Sequence, residues 1–348
     1  MPLGRWLAGR RALRTASAAA FCLFALRQPL LAGDPPHPLH LTATAFGQAA
    51  EIDVRDLPAS LADDAVRKAF EKLSQIETLS DGMGSAAQGL ALLNVSAGKA
   101  GVVVDPELYT LLERAENFCI WSENIHGPLG GELNGIWGIH GAIEAIPNDD
   151  EVARATASAA CGRLALDPKR HAATLAAGSR ADLRGFAVGF AVDRAVDLLR
   201  AAGATNGWVR VGNTARAFGP GPKGRGWPFE VPPVIGTLQP ERVVLRDRAI
   251  AVRKSDDLKL GLAGETWLPY LDQKRGRPGG QGVLLTAAST DLAVDSEALA
   301  VTMFAAGNRL GQSLLGSLTP APAVLWLLGL GQGPPLSAET RWSQVRDH

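Results

Sequence analysis

The residues whose types and spacing could do chemistry are concentrated between positions 182 and 212. Asp182 and Gly185 precede a strongly amphipathic helical pattern, Gly189 lies near its beginning, and Gly212 ends a strand-like run. Because glycine has no side chain, the backbone beside it can closely approach a polar ligand, and the start of a helix presents free N–H groups to such a ligand. The segment is therefore predicted to be a loop and helix start that binds a polar ligand.

Three acidic residues in or near such patterns also have a structural interpretation. Asp182 lies close enough to the helical pattern to be its N-cap. Asp193 lies within that pattern and is expected on the exposed face of the helix. Glu297 falls in the first turn of another predicted helix, about 295–306, where the helix dipole favours an acid whether or not it binds a metal.

The segment 127–141 is too rich in glycine for a regular element and too apolar for a solvated linker, so it is expected to pack on the core or on a ligand. His126 and His140 flank it, but two histidines without a third ligand are interpreted as incidental. Trp137 and Trp227 are interpreted as core residues rather than as stacking partners of a ligand ring.

The elements that must position these residues follow from hydrophobic periodicity. Apolar spacing predicts helices at 60–76, 106–118, 152–161 and 295–306. Alternating or short apolar runs predict strands at 50–55, 102–104, 207–212, 242–245, 249–252 and 282–286. This mixture of helices and strands permits an α+β fold.

Composition limits the class of protein. The chain has 348 residues, 46% of them hydrophobic, with 35 basic and 35 acidic side chains. A chain of this length can bury a sizeable core, and its balanced charge gives no indication of a nucleic-acid partner. Of the three cysteines, Cys119 and Cys161 lie outside the predicted leader; they could pair, or could simply be buried apolar residues.

Residues 1–33 are predicted to be a signal peptide, because several arginines precede a short apolar run. Arg27 interrupts that run too soon for a membrane span, and a disordered basic tail is the alternative interpretation. A linker at 34–40, a single domain at 41–331 and a solvated C-terminal tail at 332–348 complete the predicted organisation.

Four segments resemble, in the same order, those of the FAD:protein FMN transferases, the ApbE-like flavin transferases. They are 79–118, 133–138, 182–193 with the Trp227 strand, and 271–278 with the helix at 297–307. Together they extend over nearly all of the chain after the leader. The ordered set carries the resemblance, since no single segment is specific.

This resemblance implies a single α+β domain with mixed, largely antiparallel sheets and packed helices. It also implies an activity in which a Thr or Ser hydroxyl of a target protein attacks the phosphorus that bears FMN, with release of AMP from FAD. The implied cofactors are FAD and Mg²⁺, since phosphoryl transfer needs its developing charge neutralised. The implied partner is an exported acceptor flavoprotein, and the location is periplasmic or on the outer side of a membrane.

The resemblance further assigns cofactor binding to Asp182, Gly189 and Gly212, and metal binding to the Gly185 carbonyl and Glu297. Glu297 stands where the family has an aspartate. No catalytic residue is assigned.

Besides Glu297, and besides a family aspartate whose position falls at or near Gly127, five positions depart from the family pattern, each losing a charged, polar or small residue that the family uses. They are Val188 for a lysine, Asn213 and Thr214 for a glycine and an aspartate, Pro269 for a histidine, and Val301 for a threonine. A catalytically silent member that binds flavin or protein therefore stays an alternative. An FAD pyrophosphatase, with water as the nucleophile, is the other.

The departure at Val301 removes an oxygen ligand from the expected metal site. Thr302 is one residue further, about 100° around the helix, and is not expected to substitute. Asp295 lies two residues before Glu297 and could reach a metal from the helix start.

Overall fold

The computed structural model describes residues 36, 38–85, 87–234, 240–256, 260–329 and 334–347. The predicted signal peptide, 1–33, lies outside these residues, and its prediction stays untested.

An eight-stranded sheet forms the centre of the fold. The strands of the described chain are β1 (Leu39–Ala45), β2 (Gln48–Val54), β3 (Val102–Val103), β4 (Leu164–Asp167), β5 (Ala172–Leu175), β6 (Gly207–Val211), β7 (Thr214–Phe218), β8 (Trp227–Val231), β9 (Glu241–Leu245), β10 (Ala249–Lys254), β11 (Leu260–Leu262), β12 (Glu265–Trp267), β13 (Leu271–Asp272), β14 (Arg277–Pro278), β15 (Val283–Thr290), β16 (Ala323–Leu328) and β17 (Leu336–Thr340). The central sheet has the order β1-β2-β6-β7-β10-β15-β16-β17, and every neighbouring pair in it is antiparallel.

The remaining strands form small antiparallel sheets around the centre, in the order β3-β5-β4 and as the pairs β8-β9, β11-β12 and β13-β14. The helices are α1 (Ala59–Ser80), α2 (Gly89–Val95), α3 (Pro106–Trp121), α4 (Gly131–Ile136), α5 (Asp149–Ser158), α6 (Ala187–Ala201) and α7 (Ala293–Leu315). The predicted α+β class with largely antiparallel sheets is confirmed.

Both faces of the central sheet are covered. Helices α6 and α7 pack on one face, where Ala251, Ala288 and Met303 share a buried cluster. The β8-β9 pair covers the other face, where Trp227 and Val252 belong to one buried cluster. Because alternate strand residues point to opposite faces and both faces are covered, the middle strands β7, β10 and β15 are buried at nearly every position.

The chain end is part of this fold. Strand β17 pairs with β16 along its length, and Trp342 is fully buried with its indole N–H donating to Glu241 Oε1 at 2.8 Å. The prediction of a solvated tail at 332–348 is therefore wrong for the described residues 334–347. Strand β17 is an edge strand with mostly polar, exposed side chains, so it carries no hydrophobic signal in the sequence.

A disulfide joins Cys119, near the end of α3, to Cys161, just after α5. It lies against the segment that enters the glycine-rich loop, since a Cβ at Gly127 would contact the Cys119 side chain. The pairing left open by the sequence is thus made. No helix among the described residues is both long enough and apolar enough to cross a bilayer.

Candidate functional site

A cavity of about 730 Å³ opens where the loop before α6, the glycine-rich segment, the start of α7 and the end of β10 meet. Its volume is typical of cavities that bind small molecules. The cavity brings together three of the predicted site residues, Asp182, Gly185 and Glu297, which line its wall. Gly189 and Gly212 are not among the lining residues.

The Asp182 side chain is held at the wall by three contacts. Its Oδ2 accepts from Asn134 Nδ2 at 2.5 Å and lies 2.8 Å from His140 Nε2, and its Oδ1 accepts from the Arg184 backbone N–H at 3.0 Å. Burial opposes ionisation of Asp182, but the His140 hydrogen bond and charge outweigh it and lower the pKa to about 2. Asp182 is therefore a carboxylate at neutral pH, fixed at the cavity wall.

Asp182 is not a helix cap. Helix α6 begins at Ala187, and Phe186 precedes it with no capping side chain. The Asp182 backbone N–H instead donates to the Pro128 carbonyl at 2.8 Å. The N-cap interpretation is wrong, and Asp182 joins its own loop to the glycine-rich segment.

Gly185 lies between two side chains of the wall. Its φ of +82° is a left-handed conformation, and a Cβ there would come within 2.6 Å of His126 Nε2 and 3.1 Å of Val301. Only glycine fits this backbone and this space. The position is thus required by the cavity geometry, whatever its carbonyl binds.

His126 is a buried part of the wall rather than an incidental residue. Its ring stacks on Phe186 at a centroid distance of 4.5 Å, and its Nε2 has no hydrogen-bond partner among the described residues. Burial lowers the pKa of His126 to about 4, so the ring is neutral at pH 7. His140 also lines the cavity, where its Nε2 contacts Asp182. The interpretation of both histidines as incidental is wrong; their position on either side of one glycine-rich loop was the available signal.

Glu297 is fully buried and joins three elements. Its Oε2 accepts from the Gly189 backbone N–H of α6 at 2.6 Å, and its Oε1 accepts from Arg253 Nη2 of β10 at 2.8 Å. Burial raises the pKa of Glu297, and the neighbouring Arg253 charge opposes that shift. Arg253, which lines the cavity with its side chain 16% exposed, had no motif in the sequence to single it out.

The two remaining glycines have structural roles. A Cβ at Gly189 would collide with the Ala293 carbonyl, so this glycine lets α6 approach the start of α7. Gly212 forms the β6-β7 turn with φ +54°, and its N–H donates to the Ala49 carbonyl at 2.9 Å. Close packing and a tight turn account for both glycines in this structure, and their assignment to cofactor binding stays a prediction.

The donor set around Glu297 does not fit Mg²⁺, which prefers several oxygen ligands. Both Glu297 oxygens already accept hydrogen bonds, and Val301 offers none. Asp295 turns away to make two bonds with Arg114, at 2.8 and 2.5 Å, and the Thr302 hydroxyl donates to a carbonyl of its own helix. Across the described ranges, no group of three or more His, Cys, Asp or Glu side chains is arranged to hold a metal.

Asp193 holds the beginning of α7 in place. It is 1% exposed, and its two oxygens accept from the Ala293 and Val294 backbone N–H groups at 2.9 and 3.0 Å. Arg216 Nη1 donates to the same carboxylate at 3.0 Å. The expectation of an exposed Asp193 is wrong, since the residue serves as a cap supplied by a neighbouring helix.

The five departures from the family pattern all lie on the cavity wall: Val188, Asn213, Thr214, Pro269 and Val301. They therefore change the chemistry of the cavity rather than that of a remote surface. The tryptophans at 137 and 227, by contrast, are buried outside it, and each donates its indole N–H to a backbone carbonyl. Their interpretation as core residues is confirmed.

Comparison with known proteins identifies relatives of the whole domain. The model of the ApbE family matches residues 46–325 of this chain. A protein named FAD:protein FMN transferase from Treponema pallidum is 28% identical over 275 residues, which cover 74% of this chain and 75% of that protein. A second protein of the same name, from Chlamydia trachomatis, is 26% identical over 193 residues, or 54% of this chain and 58% of the other.

Solved structures share the fold. The ApbE protein of Thermotoga maritima superposes with a TM-score of 0.78 at 21% identity, covering 90% of this chain and all of that one. The flavin transferase ApbE of Vibrio cholerae gives a TM-score of 0.76 at 19% identity, with 88% and 98% covered.

Proposed function

Because this chain belongs to the ApbE family, we propose that it transfers FMN from FAD to a Thr or Ser hydroxyl of an acceptor protein. In this exchange, the hydroxyl oxygen forms a bond to the phosphorus that bears FMN. The bond from that phosphorus to the bridging oxygen breaks, AMP leaves with the bridging oxygen, and the hydroxyl proton is released.

The observation that carries this proposal is the cavity beside the loop 182–188, in a chain whose relatives are named for this reaction. Its wall is suited to a flavin dinucleotide. Apolar and aromatic side chains, among them Tyr270 and Leu271, form part of the wall and suit a flavin ring, and the guanidinium groups in the wall suit the phosphates. The fixed carboxylate of Asp182 is an acceptor for a ligand N–H or O–H group.

Two finer features belong to the same proposal. We propose export, supported by the arginine-rich apolar leader and by the Cys119–Cys161 disulfide, since disulfides persist mainly in oxidising compartments. The acceptor is then an exported protein. Mg²⁺ is the cation implied by the resemblance, but the donors at Glu297 do not support it, so the assay must be run both with and without it.

The second candidate function is hydrolysis of FAD to FMN and AMP. It is motivated by the five replaced wall positions, which leave open whether a protein hydroxyl or water is the nucleophile. A silent flavin-binding module is the third possibility, and it differs from both in giving no AMP.

The experiment measures AMP and flavin products by chromatography and mass spectrometry. Purified protein is incubated with FAD alone and with FAD plus a set of peptides that each contain one Thr or Ser. We expect the amount of AMP to rise in proportion to the amount of peptide that has gained the FMN group, with little free FMN formed. Free FMN without peptide would indicate the hydrolase, and no AMP under any condition would refute catalysis.

A further inference from the structure

Arg253 occupies the place in the cavity where a bound cation would be expected. It lies near the end of β10 and lines the same cavity as Gly185, and its Nη2 contacts the one carboxylate that the resemblance assigns to a metal, Glu297. Its Nη1 donates to the Val252 carbonyl at 2.9 Å. A guanidinium has five N–H groups, and the described residues take up two of them.

These two bonds fix the guanidinium at the cavity wall. The Val252 carbonyl and Glu297 accept these bonds, and Glu297 is in turn held by the Gly189 N–H. A charged donor that is held in place before a ligand arrives loses little freedom on binding, so it interacts more strongly than a mobile one. Planar guanidinium groups also match phosphate oxygens in geometry.

We propose that the Arg253 guanidinium, anchored by Glu297, binds the pyrophosphate of FAD in place of a divalent cation, and that FAD binding by this chain is independent of metal. This inference rests on the proposed function, because it assumes that FAD is the ligand of the cavity. It explains why Val301, which has no oxygen ligand, is compatible with a working cavity: the wall needs no metal there.

Two other arginines line the cavity, but they are placed differently. Arg184 is exposed and lies near His140, with 3.3 Å between Arg184 Nη2 and His140 Nδ1. Arg180 is half-buried and packs against Gly131. Among the cavity arginines of the described chain, only Arg253 is paired with Glu297.

The test is an equilibrium titration of the full chain with FAD and, separately, with riboflavin, which has no phosphate, followed by flavin fluorescence. Each titration is made in EDTA and in Mg²⁺. We expect the FAD affinity of the unaltered protein to differ by less than about twofold between the two conditions. This measurement needs no variant and therefore does not depend on the folding of one.

Variants then assign the effect to the guanidinium. Arg253→Gln is expected to weaken FAD by about 10- to 100-fold, the loss for a charged hydrogen bond, while riboflavin changes little. Arg253→Lys should retain part of the affinity for FAD. The double variant Arg253→Gln, Glu297→Gln avoids a buried unpaired carboxylate and should lose FAD affinity to the same degree. Arg246→Gln removes one positive charge from an exposed turn outside the cavity wall and should leave both ligands unchanged.

The outcomes separate this inference from the proposed function. If FAD binds only when Mg²⁺ is present, the inference is overturned and the proposed function stands. If FAD binds without metal but Arg253→Gln, alone and in the double variant, weakens FAD and riboflavin equally, Arg253 is not the phosphate ligand and the inference is again overturned. If FAD does not bind in either condition, both fail.

Discussion

Replacing Asp193 with asparagine should destabilise the protein far more than its position in a helix would indicate. The carboxylate accepts two backbone N–H groups from the start of α7 and pairs with the largely buried Arg216. Asn can accept through one oxygen only and leaves Arg216 without its close counter-charge. Removing one partner of such a buried pair costs about 3–5 kcal/mol. We expect the lower end of that range, because Asp197 lies 3.7 Å from Arg216 and compensates in part.

The assay is urea unfolding at neutral pH, which gives the free energy of unfolding of each variant. Asp197→Asn is the matched control, since it lies one turn further along α6, approaches the same Arg216, and is about half exposed. Exposed ion pairs contribute about 0–1 kcal/mol, so this control should change the free energy of unfolding by no more than that. If Asp193→Asn lowers the free energy of unfolding by no more than Asp197→Asn does, the assignment of Asp193 as the cap of α7 is refuted.

Three further predictions concern the cavity wall and its supports. The pKa of His126 is about 4 in the folded protein, below its unfolded value of 6.5, so the unfolded chain binds the proton first. The stability that this ring contributes is complete above pH 6.5 and falls by about 3 kcal/mol as the pH drops to 4, a loss that His126→Gln should lack when unfolding is measured across that range. Replacing Cys119 and Cys161 by alanine opens a loop with a sequence separation of 42 and should lower the free energy of unfolding by about 4 kcal/mol. Gly189→Ala should lower the free energy of unfolding by about 1–3 kcal/mol, because the methyl group meets the Ala293 carbonyl.

Each of these has an outcome that contradicts it. If the free energy of unfolding of His126→Gln falls with pH as it does in the unaltered protein, protonation of His126 does not cause that loss of stability. If the oxidised protein and the double alanine variant have the same free energy of unfolding, the disulfide does not stabilise the fold. If Gly189→Ala is as stable as the unaltered protein while FAD affinity falls, Gly189 contacts the cofactor after all; Gly135→Ala, with open space around it, is the control substitution.

Much of the fold and part of the cavity could be predicted from the sequence. Local patterns located α3, which was predicted at 106–118; in the structure Asp105 accepts from the Glu107 N–H and Pro106 begins the helix. The loop of Asp182 and Gly185 was found because glycines and a carboxylate beside a helix start are an unusual local combination. This loop could be predicted because the residues that define it lie close together in the sequence.

The residues that were missed depend on partners far away in the chain. Arg253 and Glu297 are 44 positions apart, and only the packing of β10 against α7 brings them together. Asp193 looks like a solvent-facing helix residue until Arg216 and the start of α7 are placed beside it. A buried charge carries no local signature, because its burial is decided by elements that a sequence window does not contain.

The most direct test of the central claim is a crystal structure of the full chain grown with FAD and Mg²⁺. We predict the flavin in the cavity beside Asp182, with a pyrophosphate oxygen within about 3.2 Å of an Arg253 nitrogen. FAD bound outside this cavity would contradict the proposed site. Mg²⁺ coordinated by Glu297, with Arg253 displaced from it, would contradict the metal-independent binding while leaving the site itself in place.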